Sequence, residues 1–343
     1  MMKFNSLDCR RTPSNRRQLC SRFTRSSNAS REPFRCPASI CTRPNYPGNP
    51  PAAILSPARA GIEQLRPCGC LIFNGVNASS KSPLAPARKF PRRKFLLGGL
   101  AALPVLAGVE ACCLEPTWLK ITRWQLPNPV GCRLVHFSDL HHKGDRAYLD
   151  AVVNRINALQ PDVICFTGDL VEGREFLDDT LAALSRLQRP LFGVPGNHDY
   201  WSEISFATVR AAFARSGGAW LLDENQVVAG GRVNLIGKAG HSVTSPLPPA
   251  LPGTRNILLL HYPAWANQLR GRTFDLLLAG HSHGGQVRIP FHGPLFLPFL
   301  VDKYDLGMFT TPAGPLYVNA GIGYLSRLHI RFNCRPEITV FEV

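Results

Sequence analysis

Between Asp139 and His283 the chain sets out a series of short polar groups, each just behind an apolar, strand-like run: Asp139-Leu140-His141, Gly168-Asp169, Gly196-Asn197-His198-Asp199, His261 and Gly280-His281-Ser282-His283. All offer oxygen or imidazole nitrogen and none offers thiolate, which is the donor set chosen by hard and borderline divalent metals. Seven or eight such groups exceed what one ion needs, so the pattern points to two ions and to hydrolytic chemistry. Gly168, Gly196, Gly280, Gly284 and Gly285 flank the polar groups. Glycine lets the chain turn sharply at a strand end and aim a side chain inward. Taken singly, Asp-x-His or Gly-Asp is more often a solvated loop. Gly-Asn-His-Asp and Gly-His-Ser-His-Gly-Gly-Gln are far more specific, and their joint order makes coincidence a poor explanation.

The elements that must position these groups alternate. Residues 132–137 read as a strand and 147–159 as a helix, with Ala151, Val152, Ile156 and Leu159 on one face and Pro161 as its stop. A strand over 163–167, a helix over 180–187 and a strand over 191–194 follow. This order predicts an α/β fold, layered α-β-β-α, with the metal site at the carboxyl ends of the strands. Short strands are expected at 220–222, 226–228 and 233–238, with Gly230-Gly231 turning the last two, and again at 257–260 and 276–279. Runs at 287–289, 316–319 and 338–341 are expected to close a second, more antiparallel layer.

The net charge of +16 is concentrated at one end. Residues 1–94 hold 18 basic and 3 acidic side chains, which leaves 21 against 20 for the remainder, and all ten histidines lie beyond residue 135. A nucleic-acid binder needs a basic face on its folded domain; with a nearly neutral catalytic part, no nucleic-acid partner is expected. Residues 1–88, rich in Arg, Ser, Pro and Asn and without periodicity, read as a disordered basic leader. The alternative is that this leader is not natural protein and that a start codon read as Val or Leu lies near Val76 or Leu84. Six of the eleven cysteines (Cys9, Cys20, Cys36, Cys41, Cys68 and Cys70) fall in the leader, without metal-site spacing. Cys165 reads as a buried hydrophobe, and a Cys132–Cys334 disulfide is open outside the cytoplasm.

Residues 89–114 form a separate segment. Arg92-Arg93-Lys94 precedes an apolar run from Phe95 to Val109, the layout of an export signal, and Arg-Arg-x-Phe-Leu is similar to a twin-arginine signal. A retained membrane anchor is the second reading. Either way the domain, residues 115–343, is expected outside the cytoplasm, periplasmic or membrane-anchored.

Taken together, Asp139-x-His141, Gly168-Asp169, Gly196-Asn197-His198-Asp199, His261 and Gly280-His281-x-His283 resemble the calcineurin-like metallophosphoesterases over about residues 133–343. His261-Tyr262-Pro263, Gly284-Gly285-Gln286, Arg331-Phe332 and Arg335-Pro336-Glu337 resemble the bacterial exported, membrane-associated phosphodiesterase branch of the YkuE and YaeI type. The resemblance implies two divalent ions (Mn, Fe or Zn), one held by Asp139, His141, Asp169 and His283, the other by Asp169, Asn197, His261 and His281. A hydroxide between them would attack a phosphodiester or phosphoanhydride. His198 would stabilise the transition state or protonate the leaving oxygen, with Asp199 fixing its tautomer. The phosphoprotein phosphatases of the family carry Gly-Asp-x-x-Asp-Arg where this chain has Gly168-Asp169-Leu170-Val171-Glu172-Gly173, so a phosphoprotein substrate is not expected. Related anchored enzymes cleave UDP-2,3-diacylglucosamine in lipid A biosynthesis, which makes that pyrophosphatase reaction the second expectation. A non-catalytic binding protein is the third.

His142 is expected beside the site or in solvent, His136 in a strand, and His241, His292 and His329 on the surface. Phe291, Leu295, Phe296, Leu297, Phe299, Leu300 and Val301 crowd a proline-rich loop. Such residues ordinarily cover a core. If exposed, they would form a patch suited to membrane contact and to a lipid-linked phosphate substrate.

Overall fold

The computed structural model describes residues 92–343 apart from 241, 270 and 326–328. The leader assigned to residues 1–88, with its expected disorder, and His241 lie outside the described residues.

In chain order the regular elements are α1 (Arg92–Val109), β1 (Lys120–Gln125), β2 (Arg133–Phe137), α2 (Arg146–Ala158), β3 (Val163–Phe166), α3 (Leu177–Leu184), β4 (Leu191–Gly193), α4 (Asn197–Trp201), α5 (Phe206–Arg215) and β5 (Ala219–Trp220). They continue with β6 (Asn225–Val228), β7 (Val233–Gly237), β8 (Arg255–Leu259), β9 (Leu276–Ala279), β10 (Arg288–Ile289), β11 (Gly293–Pro294), β12 (Gly307–Thr311), β13 (Gly314–Val318) and β14 (Glu337–Glu342). From Leu96 on, helix α1 is apolar and almost wholly exposed. With the turns that follow it, residues Leu96–Thr117 form a 22-residue stretch long and apolar enough to cross a membrane by length and composition, about 33 Å at helical rise.

Two six-stranded sheets build the domain, in the orders β1-β14-β2-β3-β4-β5 and β12-β13-β9-β8-β7-β6. Leu134, Val163, Cys165 and Phe192 of the first interleave with Leu235, Ile257, Leu259 and Leu278 of the second to form the inter-sheet core. The outer face of the first sheet is closed by α2, α3 and α5, whose Val152, Ile156, Leu181, Val209 and Phe213 pack on Val135, Phe137, Ile164 and Phe166. Side-chain caps set two of these helices: Asp145 accepts from the Tyr148 amide and Ser205 from that of Thr208. The outer face of the second sheet is covered by irregular chain and a 3₁₀ segment, Pro263–Gln268, which contributes Trp265 and Ala266. The α/β sandwich is therefore as the alternation predicts, with a thinner fourth layer.

Two expectations are corrected. The second layer is parallel at its centre: β7, β8, β9 and β13 run the same way, and β6 and β12 at its edges are antiparallel. The apolar runs Ile257–Leu259 of β8 and Leu276–Ala279 of β9, buried on both faces, are the mark of parallel strands. The run at 338–341 belongs to the first sheet, where β14 lies between β1 and β2. Alternation identifies which residues are buried but not which strand lies alongside. The sequence reading also passed over β1 and α5. No disulfide joins Cys132 to Cys334: both are free, the first in the inter-sheet core and the second with its Sγ 3.3 Å from the His283 carbonyl.

Candidate metal centre

Five strand ends converge. Asp139 follows β2, Asp169 follows β3, Asn197 follows β4, His261 follows β8, and His281 and His283 follow β9. The backbone there is forced. Asp139, His141, Asp169, His281 and His283 all have φ between 41° and 68°, a left-handed conformation that costs an L residue roughly 1–2 kcal/mol. At Gly196 and Gly280 the need is close approach rather than torsion: a Cβ on Gly196 would overlap the Asp169 carboxylate, and one on Gly280 would overlap Ser138 and Asp139.

All seven expected ligands are brought together. Ligand atoms of Asp139, His141 and His283 lie within 4.8 Å of one another, as do those of Asp169, His261 and His281. Asp169 stands between the groups, its Oδ2 3.3 Å from His141 Nε2 and 3.4 Å from His261 Nε2. Asn197 Oδ1 is 3.0 Å from His261 Nε2.

The imidazoles face one another in pairs. His141 Nε2 is 3.1 Å from His283 Nε2, and His261 Nε2 is 3.1 Å from His281 Nδ1. Outer hydrogen bonds fix which nitrogens look inward. His261 Nδ1 donates to the Thr167 carbonyl at 2.7 Å, and His281 Nε2 donates to that of Phe299 at 2.7 Å. His141 Nδ1 faces Glu172 Oε2 at 2.9 Å. With the rings so held, lone pairs point at each other unless a cation stands between them or one nitrogen carries a proton. This donor set fits divalent ions.

Residues 132–285 match the calcineurin-like phosphoesterase family. The chain is 31% identical to the uncharacterized metallophosphoesterase YkuE of Bacillus subtilis, over 75% of its own length and 98% of that protein. The chain belongs to the calcineurin-like phosphoesterase family. It is similar also to the phosphodiesterase YaeI of Escherichia coli, at 29% identity over 74% of this chain and 98% of the relative. The UDP-2,3-diacylglucosamine pyrophosphatase LpxG of Chlamydia trachomatis matches at 30% over 71% of this chain and 94% of its own. This phosphoesterase is thus a hydrolase of a family that uses divalent metals, and its branch is the YkuE- and YaeI-like one.

The charges of the phosphoesterase site match that donor set. Burial works against protonating His261 and His141, yet Asp169, with Glu172 at His141, carries both up to about 9. Burial and then the neighbouring His261 pull His281 down to about 3, and burial with His141 holds His283 well below the usual imidazole value. Each facing pair thus joins an imidazole whose proton affinity is raised to one whose affinity is lowered. Burial pushes Asp139 up to about 6, opposed by His261, whereas the same burial at Asp169 is outweighed by His261 and His141, which hold it well below the carboxylate range.

His198, on the short helix α4, borders the cluster: its ligand atom lies within 4.8 Å of those of His141 and Asp169. The structure gives Asp199 a different task from the expected one. Its two oxygens accept from the backbone amides of Gly196, Asp169 and Leu170 at 2.8–2.9 Å, tying two site loops together rather than steering His198. The side chain facing His198 Nδ1 is Glu172, at 3.6 Å, a residue that sequence reasoning passed over. The signal was present, since Glu172 stands where related enzymes carry an aspartate. His142 is buried against Asp179 at 2.7 Å, outside the cluster. His136 is buried in β2, His292 is exposed, and His329 is half-buried beside Tyr324. The aromatic loop departs from the core-covering expectation: within it Val301 alone is buried, while Phe291, Leu295, Phe296, Phe299 and Leu300 are exposed.

Proposed function

We propose that the chain hydrolyses phosphodiesters with two divalent ions, one on Asp139, His141, Asp169 and His283 and one on Asp169, Asn197, His261 and His281. The observation that carries this is the placing of the Asp169 carboxylate between two separate pairs of facing imidazole nitrogens. Bound ions would supply Lewis acidity toward the phosphoryl oxygens and an acidified water; Mn, Fe and Zn all accept this donor set. The chain's own groups orient and exclude. Thr167, Phe299 and Glu172 aim three imidazoles inward, and His198 at the rim is the group placed to hydrogen-bond the phosphoryl or leaving oxygen. Among the described residues no arginine hydrogen-bonds a member of the cluster, which favours a diester over the doubly charged monoester.

The test is metal analysis of the purified chain, together with hydrolysis of bis-p-nitrophenyl phosphate against p-nitrophenyl phosphate. Two ions per chain and preference for the diester are expected. One ion per chain, or preference for the monoester, would overturn the proposal.

A second reading, cleavage of the phosphoanhydride of UDP-2,3-diacylglucosamine, is favoured by the similarity to LpxG together with the apolar helix before the domain. Turnover of that lipid nucleotide well above the diester would select it. In the phosphodiesterase reading α1 acts as an export signal or membrane anchor with the domain outside the cytoplasm, which fractionation of cells into membrane and periplasm checks.

A further inference from the structure

We propose that the loop from Ile289 to Leu300 is a lipid-bilayer docking surface that seats the mouth of the metal centre at the headgroup layer. The inference rests on the phosphodiesterase reading above and adds where the substrate is met, as an amphiphilic phosphodiester lying in a membrane. Phe291 is 111% exposed, Phe299 92% and Phe296 68%, and Ile289, Leu295 and Leu300 are exposed beside them. Single exposed apolar side chains are ordinary, but six within twelve positions are a concentration that calls for a partner. Phe291 sits at the tip of the β10–β11 hairpin with φ 66°, a position where glycine or asparagine costs least. Folding alone gives no reason to keep an outward-pointing aromatic ring there.

The loop is also the rim of the site. The Phe299 carbonyl accepts from His281 Nε2 at 2.7 Å, and the Phe296 carbonyl closes on Gly285.

A bilayer fits this surface because the patch joins the apolar helix. The Arg331 amide donates at 3.0 Å to the carbonyl of Ala111, in the last third of the membrane-length stretch. The next residue, Phe332, accepts from the Arg288 amide at 2.9 Å, where the hairpin begins. A helix entering a membrane therefore carries the hairpin to the same surface. Trp118, which follows the apolar stretch, is exposed, in the place where tryptophans gather at membrane interfaces.

The test uses the full chain reconstituted into phosphatidylcholine vesicles, with and without brominated acyl chains. A Phe291→Trp variant should show emission at shorter wavelength and bromine quenching beyond that of the wild type; absence of the additional quenching overturns the docking surface. In parallel, Phe291→Ser combined with Leu295→Ser should raise KM about tenfold for a p-nitrophenyl phosphodiester carrying an acyl chain in the vesicle. It should leave hydrolysis of soluble bis-p-nitrophenyl phosphate unchanged. Equal effects on both substrates, or none on the embedded one, also overturn it. A wild-type chain inactive on the soluble diester would instead refute the phosphodiesterase reading, and the quenching measurement would still decide the docking.

Discussion

The loops leaving the first sheet hold Asp139, His141, Asp169 and Asn197 largely through backbone amides, whereas the loops leaving the second hold His261, His281 and His283 through ring nitrogens. In the first half Asp139 N bonds the Gly168 carbonyl at 2.9 Å, His141 N that of Asp169 at 3.0 Å and His142 N that of Leu170 at 3.1 Å. Asp199 then ties the loops after β3 and β4 together from beneath. Arg331, fully buried, adds a clamp on the carbonyls of Ala320, Gly321 and Gly323, the segment whose Gly323 amide bonds Asp139 O at 2.7 Å. In the second half the His261 and His281 rings each have one outer bond, to a carbonyl, the His281 amide donates to the Asp139 carboxylate at 3.0 Å, and His283 Nδ1 is buried with no partner among the described residues. The loops of the first half are thus tied directly to one another by main-chain bonds and by Asp199. The rings of the second half rest on single outer bonds, or at His283 on none among the described residues.

This contrast can be broken at four places. The largest effect is expected at the residue common to both halves. Asp169→Asn should lower diester hydrolysis by about 10³-fold or more and bring bound metal below two ions per chain; full activity with two ions would end the shared-carboxylate assignment. Next is Asp199→Ala, which leaves three buried amides without an acceptor and should destabilise the fold by about 3 kcal/mol or more, read by urea unfolding. Unchanged stability with a reduced kcat would instead make Asp199 a partner of His198.

A smaller change is expected from Glu172→Gln, which keeps an acceptor for His141 but removes its charge. Metal affinity should fall about tenfold with little loss of stability, as competition with a chelator would show. The last test concerns the seam between the halves. His136 Nε2 is 2.9 Å from Thr167 Oγ1, on the residue whose carbonyl orients His261. Burial lowers the His136 pKa from 6.5 to about 3. The unfolded chain binds a proton below pH 6.5 that the folded chain refuses until about 3. Stability present above pH 6.5 is thus lost as pH falls through that window, by up to about 1.4 kcal/mol per unit. His136→Gln should flatten this slope in unfolding curves taken with chelator at pH 6.5 and 4.5, and an unaltered slope would assign the acid sensitivity elsewhere.

Much of the first half was legible in the sequence, because each ligand stands directly behind an apolar run and the spacing of strand and helix fixes which end it occupies. The gathering of His261, His281 and His283 onto the same rim follows from the same logic applied to β8 and β9. What stayed hidden depends on neighbours. Strand β1, Lys-Ile-Thr-Arg-Trp-Gln, lies at an edge with mostly exposed side chains and so lacks the alternation that marks a half-buried strand. The place of β14 is set by the free edge of β2, which no local pattern encodes. Glu172 and Asp199 carry ordinary carboxylates, whose tasks are defined by which amide or ring the fold turns toward them. Exposure of the aromatic loop is likewise a tertiary property, since the same residues in the same order could equally have roofed a core.

Five of the seven gathered side chains hang from main-chain torsions that L-amino acids resist. Cations at the centre would act as a latch on a sprung clasp: while they remain, the tension is contained, and once they are stripped the segments around 139–141, 169 and 281–283 are the first with something to gain by letting go. Amide hydrogen exchange in those segments should quicken on chelation while the strands behind them stay protected, so the enzyme would lose its grip on phosphate well before it loses its shape.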